Sequence, residues 1–233
     1  MIQVAGLAKR FGGKLVLRGL DFAVSEGEFV ALLGPNGAGK STFLRILASL
    51  ARPSLGRVRV AGFEVPAQAA GARARLGFVG HQPLLYGDLS AEQNLRLFAR
   101  IYAIPQPEPR IDELLELLGL TRYRREPVRI YSRGMQQRLS IGRAILHRPP
   151  LLLLDEPHTG LDQEAVAVLN GLLRGLAAQG STILMASHDL ANAAELAGRF
   201  DVLARGRIAA SATADQARGK RLSKLYAEAV AHA

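Results

Sequence analysis

Cysteine is missing from all 233 residues of the sequence. Its absence excludes a disulfide framework and any thiolate metal site, and it leaves the redox compartment open, with a cytosolic protein fitting easily. Long apolar runs are missing too. No stretch approaches the roughly 18 consecutive apolar residues of a membrane span, and the densest run, "LLLL" at 151–154, stops at Asp155 and reads as a buried strand. The opening "MIQVAGLAKRF" lacks a basic flank followed by an apolar core, so no secretory signal is expected. Internal repeats and low-complexity linkers are absent as well. Acidic residues are in deficit: 30 Lys and Arg stand against 20 Asp and Glu, a formal net charge of +10. A solvated basic surface, an anionic membrane surface and a nucleic acid are all compatible with that balance. The basic stretches "RYRR" (122–125) and "RGKRLSK" (218–224) carry no interleaved aromatics beyond Tyr123 and Tyr226. Nucleic acid is therefore the least favoured of the three.

What is present is a chain with 48% hydrophobic residues, enough for one well-filled core and short for two. Residues 1–30 alternate in strand fashion, with Gly12-Gly13 and Glu26-Gly27 as turns. After Gly34 the pattern turns helical in "STFLRILASL", and "RVRVAGFEV" then reads as another strand. From about 84 to 147 the signal is helical. "SAEQNLRLFARIYAI" opens with a capping-box pattern, Ser90 with Gln93, and "RIDELLELLGL" is an amphipathic helix ended by Gly119. From 151 onward strands and helices alternate through "LLLLDEP", "QEAVAVLNGLLRGLAAQG", "STILMAS", "LANAAELAGRF" and "DVLARGRIAA". Strands separated by helices of that length predict a mostly parallel sheet. One domain with two lobes is expected.

"GPNGAGKST", 34–42, satisfies the G-x-x-x-x-G-K-[ST] pattern between a predicted strand and a predicted helix. Its residues Gly34, Pro35, Asn36, Gly37, Ala38, Gly39, Lys40, Ser41 and Thr42 can turn backbone N–H groups inward to cradle an anion. Lys40 is expected on the β- and γ-phosphates of a nucleotide and the Ser41 hydroxyl on Mg²⁺. "PLLLLDEPHTGLD", 150–162, ends an apolar strand in Asp155, a candidate to orient Mg²⁺. Glu156, next to it, is a candidate general base for the water that attacks the γ-phosphate. Read alone, Asp-Glu after a strand is simply a polar cap. "ILMASHDL", 183–190, runs a third strand into His188, which can donate to the γ-phosphate or can be a structural histidine. Gln82 in "GFVGHQP" (77–83) follows a strand and precedes the helical segment, and in isolation it is an ordinary loop glutamine.

A further stretch, "YSRGMQQR" at 131–138, has the look of a second phosphate-binding helix start. Together, in order and spacing, these residues resemble the nucleotide-binding domain of ATP-binding cassette (ABC) transporters over essentially the whole chain. The resemblance implies an α/β P-loop NTPase fold with a mostly parallel core sheet, an N-terminal antiparallel β part and a helical subdomain. The core lies at about 1–83 and 148–233, and the helical subdomain at about 84–147, within one domain spanning 1–233. It makes Phe11 the aromatic that stacks on adenine, Gln82 the Q-loop residue near Mg²⁺, and Asp162 the D-loop residue. It makes Glu156, Gln82 and His188 the catalytic set, with ATP and Mg²⁺ as cofactors.

By the same resemblance Ser132, Arg133, Gly134 and Met135 form a signature that completes the partner's nucleotide site in a homodimer formed on ATP binding. The second phosphate site exists because each chain lends it out. Tyr131, Arg133 and Met135 depart from the family's usual Leu, Gly and Gln, and His158 and Thr159 depart from the commonest D-loop pattern. The chain is expected to power integral membrane subunits from the cytoplasmic face of the membrane, as a peripheral protein and without a nucleic-acid partner. The local wording looks most like the ATPase of the haem exporter used in cytochrome c maturation. The alternatives are exporters of drugs, lipids or polysaccharides, or a soluble ABC ATPase such as an iron–sulfur assembly factor. A first test follows from the loop itself: Lys40→Ala removes the cation aimed at the phosphates and is expected to abolish tight Mg-ATP binding. Titration calorimetry that finds unchanged ATP affinity in this variant rejects the phosphate-loop assignment.

Overall fold

β1 (Ile2–Phe11) and β2 (Lys14–Val24) pair antiparallel across the expected two-residue turn at Gly12-Gly13, where Gly12 has φ +53°. β3 (Phe29–Leu33) leaves this pair for a different sheet, and α1 (Lys40–Leu47) follows it. β4 (Leu55–Val60) and β5 (Phe63–Val65) return to complete a four-stranded antiparallel sheet of order β2-β1-β4-β5. The stretch "RVRVAGFEV", expected as a single strand, is thus a hairpin. Ala61 and Gly62 reverse it with φ of +49° and +88°. The apolar alternation runs on through the turn, which is why the break does not show in the pattern. The computed structural model describes residues 1–217 and 219–232. Arg218, the first residue of the basic stretch 218–224, lies outside the described residues.

After β5 come α2 (Ala69–Ala74) and β6 (Leu76–Val79). Then follow three helices, α3 (Ala91–Ile101), α4 (Glu108–Leu117) and α5 (Arg133–Ile145). The capping box at the start of α3 is formed as its sequence predicts: Gln93 N–H donates to Ser90 Oγ at 3.2 Å, and Ser90 N–H donates to Gln93 Oε1 at 2.9 Å. Gly119, just past α4, takes φ +64°, the left-handed ending that the sequence signals. The last third alternates β7 (Leu151–Asp155), α6 (Gln163–Ala178), β8 (Thr182–Ser187), α7 (Leu190–Leu196), β9 (Arg199–Ala204), β10 (Arg207–Thr213) and α8 (Lys220–Ala231). "DVLARGRIAA" divides into two strands at Arg205-Gly206, another positive-φ pair. α2 is too short at six residues for a periodic signal, and α8 read only as a basic stretch.

The second sheet has the order β10-β9-β3-β8-β7-β6, parallel throughout except for the antiparallel edge strand β10. Its central strands are buried on both faces, which explains their unbroken apolar runs. Alternate side chains sort into two cores. Leu33, Leu152, Leu154, Ile183 and Met185 face the helical side with α3 to α6. Val30, Leu32, Leu151, Leu153 and Leu184 face α1 and the antiparallel sheet. Both faces being sealed, polar side chains emerge at the carboxyl ends of the strands. Among the described residues no helix is long and apolar enough to cross a membrane.

Gly77 in β6 is buried where α5 crosses, and an added methyl would drive into the carbonyl oxygen of Ala144 and press on Leu152. Gly77→Ala is therefore expected to lower stability by about 1–3 kcal/mol, the usual cost of overpacking. An unchanged urea midpoint would show that α5 can lift off β6 freely.

Candidate active site

β3 delivers the chain to Gly34, where any Cβ would collide with the carbonyl oxygen of Leu203. Gly39 sits at the N-cap of α1 with φ +111°, a conformation open to glycine. These two positions set the curl of the loop, and α1 begins at Lys40 with its free N–H groups facing the concavity. The loop forms one wall of a cleft of about 480 Å³ that is also lined by Val16, His81, Glu156, Thr159 and His188. Pro35, Asn36, Gly37, Ala38, Gly39, Lys40, Ser41 and Thr42 all face it.

Lys40 is buried, and its ammonium has three acceptors at hand. It donates to the carbonyl oxygens of Gly34 at 2.6 Å and Pro35 at 3.4 Å, and it pairs with Glu156 Oε1 at 3.2 Å. Glu156 follows the last residue of β7 and carries φ +54°, a strained backbone for a non-glycine residue. Its N–H donates to the Ala186 carbonyl at 2.9 Å, which ties it to the neighbouring β8. Its other carboxylate oxygen, Oε2, lies 2.7 Å from His188 Nδ1 and accepts from the His188 backbone N–H at 3.4 Å. One carboxylate thus bridges Lys40 and His188 at the mouth of the phosphate loop.

Asp155, the final residue of β7, is buried and accepts from the Ser41 hydroxyl at 3.0 Å. Burial pushes its carboxyl above the usual range, and the Ser41 hydroxyl pulls it part of the way back. A buried carboxylate with so little compensation, beside a hydroxyl, fits a hard, oxygen-seeking cation such as Mg²⁺. Among the described residues no cluster of three or more acidic or histidine side chains exists to hold a metal alone. Phosphate oxygens and water would have to complete the shell, as is usual for Mg²⁺.

Three expected residues stand elsewhere. Gln82 is exposed and does not line the cleft; its neighbour His81 does. Phe11 is 53% exposed at the tip of the β1–β2 hairpin, with Lys9 Nζ 4.6 Å from its ring centre, so it is neither core nor a cleft wall. Val16 of the same hairpin takes a place in the wall instead. Asp162 caps α6, accepting from Ala165 N–H at 2.8 Å. Val16 and His81 carry no sequence signal of their own, since only folding brings them to the loop, whereas Thr159 belongs to the stretch that follows Glu156.

The signature residues also stand away from this cleft. Ser132 caps α5, its hydroxyl oxygen accepting from Met135 N–H at 3.2 Å, and its own proton remains available to donate. Gly134 admits α6 closely: a Cβ there would lie 2.8 Å from that of Ala165. Arg133 lays its guanidinium over Gly160, and Met135 turns its side chain into the helical core. Tyr131, in place of a leucine, is buried and donates its hydroxyl to the Tyr123 carbonyl at 2.6 Å.

A family model described as ABC transporter matches residues 17–159. The chain is 41% identical over 217 residues to the daunorubicin resistance ATP-binding protein DrrA3 of Streptomyces coeruleorubidus, covering 92% of this chain and 69% of that protein. It is 38% identical over 209 residues to the Nod factor export ATP-binding protein I of Ralstonia nicotianae, covering 89% of this chain and 65% of that protein. The chain therefore spans about two thirds of the length of these curated relatives. Among solved structures, an ATP binding subunit of an ABC transporter superposes with a TM-score of 0.89 at 33% identity, over 98% of this chain and 99% of that one. A dimeric post-hydrolysis state of the ATP-binding cassette MJ0796, bound to ADP and Pi, superposes at 0.83 and 28% identity, over 94% of this chain and all of that one. The expected link to haem export and cytochrome c maturation finds no support in these relatives, and the alternative of another exporter fits them better. A strand-end carboxylate pair and a histidine converge on a phosphate loop within this frame, and the chain belongs to the ABC transporter family as an ATP-binding cassette, an ATPase.

Proposed function

We propose that this cassette powers an exporter of drug, lipid or polysaccharide type. It would do so as a pair of chains bound peripherally to integral membrane subunits at the cytoplasmic face. The name of the Nod factor export relative supports export as the direction, and that of the daunorubicin resistance relative is compatible with it. The observation that carries the membrane partner is an open apolar groove of about 490 Å³ beside the helical segment. Leu50, Leu76, Phe78, Leu84, Phe98 and Ile101 line it. Large apolar side chains left in water on one face mark a surface made to be covered. A short amphipathic helix of the membrane subunit fits such a groove. Leu84, in the segment between β6 and α3, lines the groove. Leu85 packs against the core, and Tyr86 is exposed without joining the walls.

In the mechanism proposed, the phosphate loop and Lys40 would hold the β- and γ-phosphates of ATP, and Ser41 and Asp155 would hold Mg²⁺. That ion would neutralise charge on the transferring phosphoryl group. Glu156 accepts the proton of the attacking water once the phosphates have taken Lys40, and His188 holds Glu156 in line through Nδ1 and its backbone N–H, its Nε2 donating toward the γ-phosphate when the ring is an imidazolium. Ser132 and Gly134 of a second chain approach from outside, because neither can reach the cleft of its own chain. Arg133 then brings a cation near that composite site. The helical segment 84–147 would act as one lobe against the remainder, with Gln82 at its root.

Two measurements test this reading. Glu156→Gln keeps the shape of the site and removes the proton acceptor, so turnover is expected to fall on the order of 10²- to 10⁴-fold. ATP should then trap the chain as a dimer on size exclusion, and adding Ser132→Arg should return it to monomer. A Glu156→Gln chain that stays monomeric at saturating ATP would count against the lent signature. For the groove, Leu84→Glu and Ile101→Glu are expected to leave hydrolysis by the isolated chain unchanged. Both should move the protein from the membrane fraction of its host to the soluble one. Identical fractionation of wild type and variants would sink the docking site.

A further inference from the structure

His158 sits two residues after Glu156, in the loop that continues to Asp162, and it is almost wholly buried. Its Nε2 lies 2.7 Å from Oδ1 of Asn170 on α6, and Asn170 is buried as well. The amide nitrogen of Asn170 donates to Asn192 Oδ1 at 3.2 Å and to Glu195 Oε2 at 3.0 Å, both on α7. Asn192 in turn donates to Asp189 Oδ2 at 2.6 Å. Asp189, directly after His188, caps α7 by accepting from the N–H groups of Ala191 at 2.9 Å and Asn192 at 3.1 Å. Its own N–H donates to Ser187 Oγ at 3.0 Å. A continuous polar chain therefore runs from the loop of Glu156 to the loop of His188.

The protonation pattern follows from this network. Both donors of the Asn170 amide are used on α7, so its oxygen faces His158 and the imidazole must donate from Nε2. Nδ1 is then a bare acceptor, and among the described residues it has no hydrogen-bond partner. Burial lowers the His158 pKa, in keeping with a neutral ring. A buried histidine with one nitrogen unsatisfied costs stability, and an apolar side chain of similar size would not. The site nonetheless carries the histidine, with a matched asparagine opposite.

We infer that His158, acting through Asn170, Asn192 and Asp189, is a positioning residue that sets the register between Glu156 and His188. The Glu156 carboxylate meets His188 at 2.7 Å only if two separate loops keep their relative height. Direct hydrogen bonds between them are few: the Glu156 N–H to Ala186 and the contacts of Glu156 Oε2 with His188. The buried chain supplies a second tie, at a strained residue that cannot hold its place by backbone preference. The inference rests on the proposed role of Glu156 in ATP hydrolysis.

The test separates positioning from simple stability. His158→Leu with Asn170→Leu removes both ends of the bond, keeps the branching of the Asn170 side chain, and leaves Asn192 and Glu195 able to reach water. Replacing both partners by apolar groups of similar shape is close to neutral for folding. The double variant is expected to keep its urea midpoint and its KM for ATP. Its kcat is expected to fall by about 10- to 100-fold, the scale of a misplacement of up to about 1 Å among catalytic groups. His158→Gln can keep a donor near the position of Nε2 and is expected to restore most of kcat. Glu156→Gln is run in the same assay. A double variant with wild-type kcat, beside an inactive Glu156→Gln, overturns the inference and leaves the base assignment standing. Parallel losses of kcat and urea midpoint in all His158 variants, His158→Gln included, also overturn it, since the role would then be structural. An active Glu156→Gln overturns the base assignment and this inference with it.

Discussion

The constraint on which the molecule turns is that its parallel sheet is covered on both faces. With helices α3 to α6 on one side and α1 with the antiparallel sheet on the other, no side chain of β3, β7 or β8 can reach water along the strand. Function is pushed to where the strands stop. Gly34 follows β3, Asp155 and Glu156 close β7, and Ser187 and His188 close β8. Those three strands are neighbours in the order β3-β8-β7, so their ends meet in one cleft without any long-range design of loops. This is the general placement of ligands in open α/β sheets, reached here from burial alone.

Much of this was legible in the chain because burial leaves a compositional trace. "LLLL" before Asp155 and "ILMAS" before His188 are apolar on both parities, which marks a central strand and points to its last residue. The phosphate loop was legible for a different reason, since its glycines answer to a backbone requirement that few other residues meet. What stayed hidden was what folding alone juxtaposes. Nothing near Val16 signals a cleft, the loop at 81–82 was signalled by Gln82 rather than by the His81 that lines the wall, and the exposure of Gln82 and Phe11 depends on loop and hairpin placement rather than on residue type. The two hairpins at Ala61-Gly62 and Arg205-Gly206 were hidden because one alternating pattern runs through both arms. α8 was hidden because Lys220, Arg221 and Lys224 mask the spacing of Leu222, Leu225 and Ala229.

The signature region illustrates how one short segment meets two demands. Ser132 stabilises the first turn of α5 as a cap, and Gly134 lets α5 and α6 approach. Both contacts lie within one chain, while the role proposed for these residues lies toward a second. Residues that a chain keeps for its own helix start can therefore be presented outward already in order, with little conformational freedom left to lose on association.

The ion pair between Lys40 and Glu156 has a consequence for the resting protein. The Glu156 carboxylate pairs with Lys40 at 3.2 Å, so the cleft neutralises its own cation. In the mechanism proposed, arriving phosphates would compete with Glu156 for the same ammonium, affinity would be lowered by whatever that pair contributes, and the displaced carboxylate would be the proton acceptor. Under the role proposed for Glu156, seating the phosphates would free the carboxylate from Lys40 while His188 still holds its other oxygen.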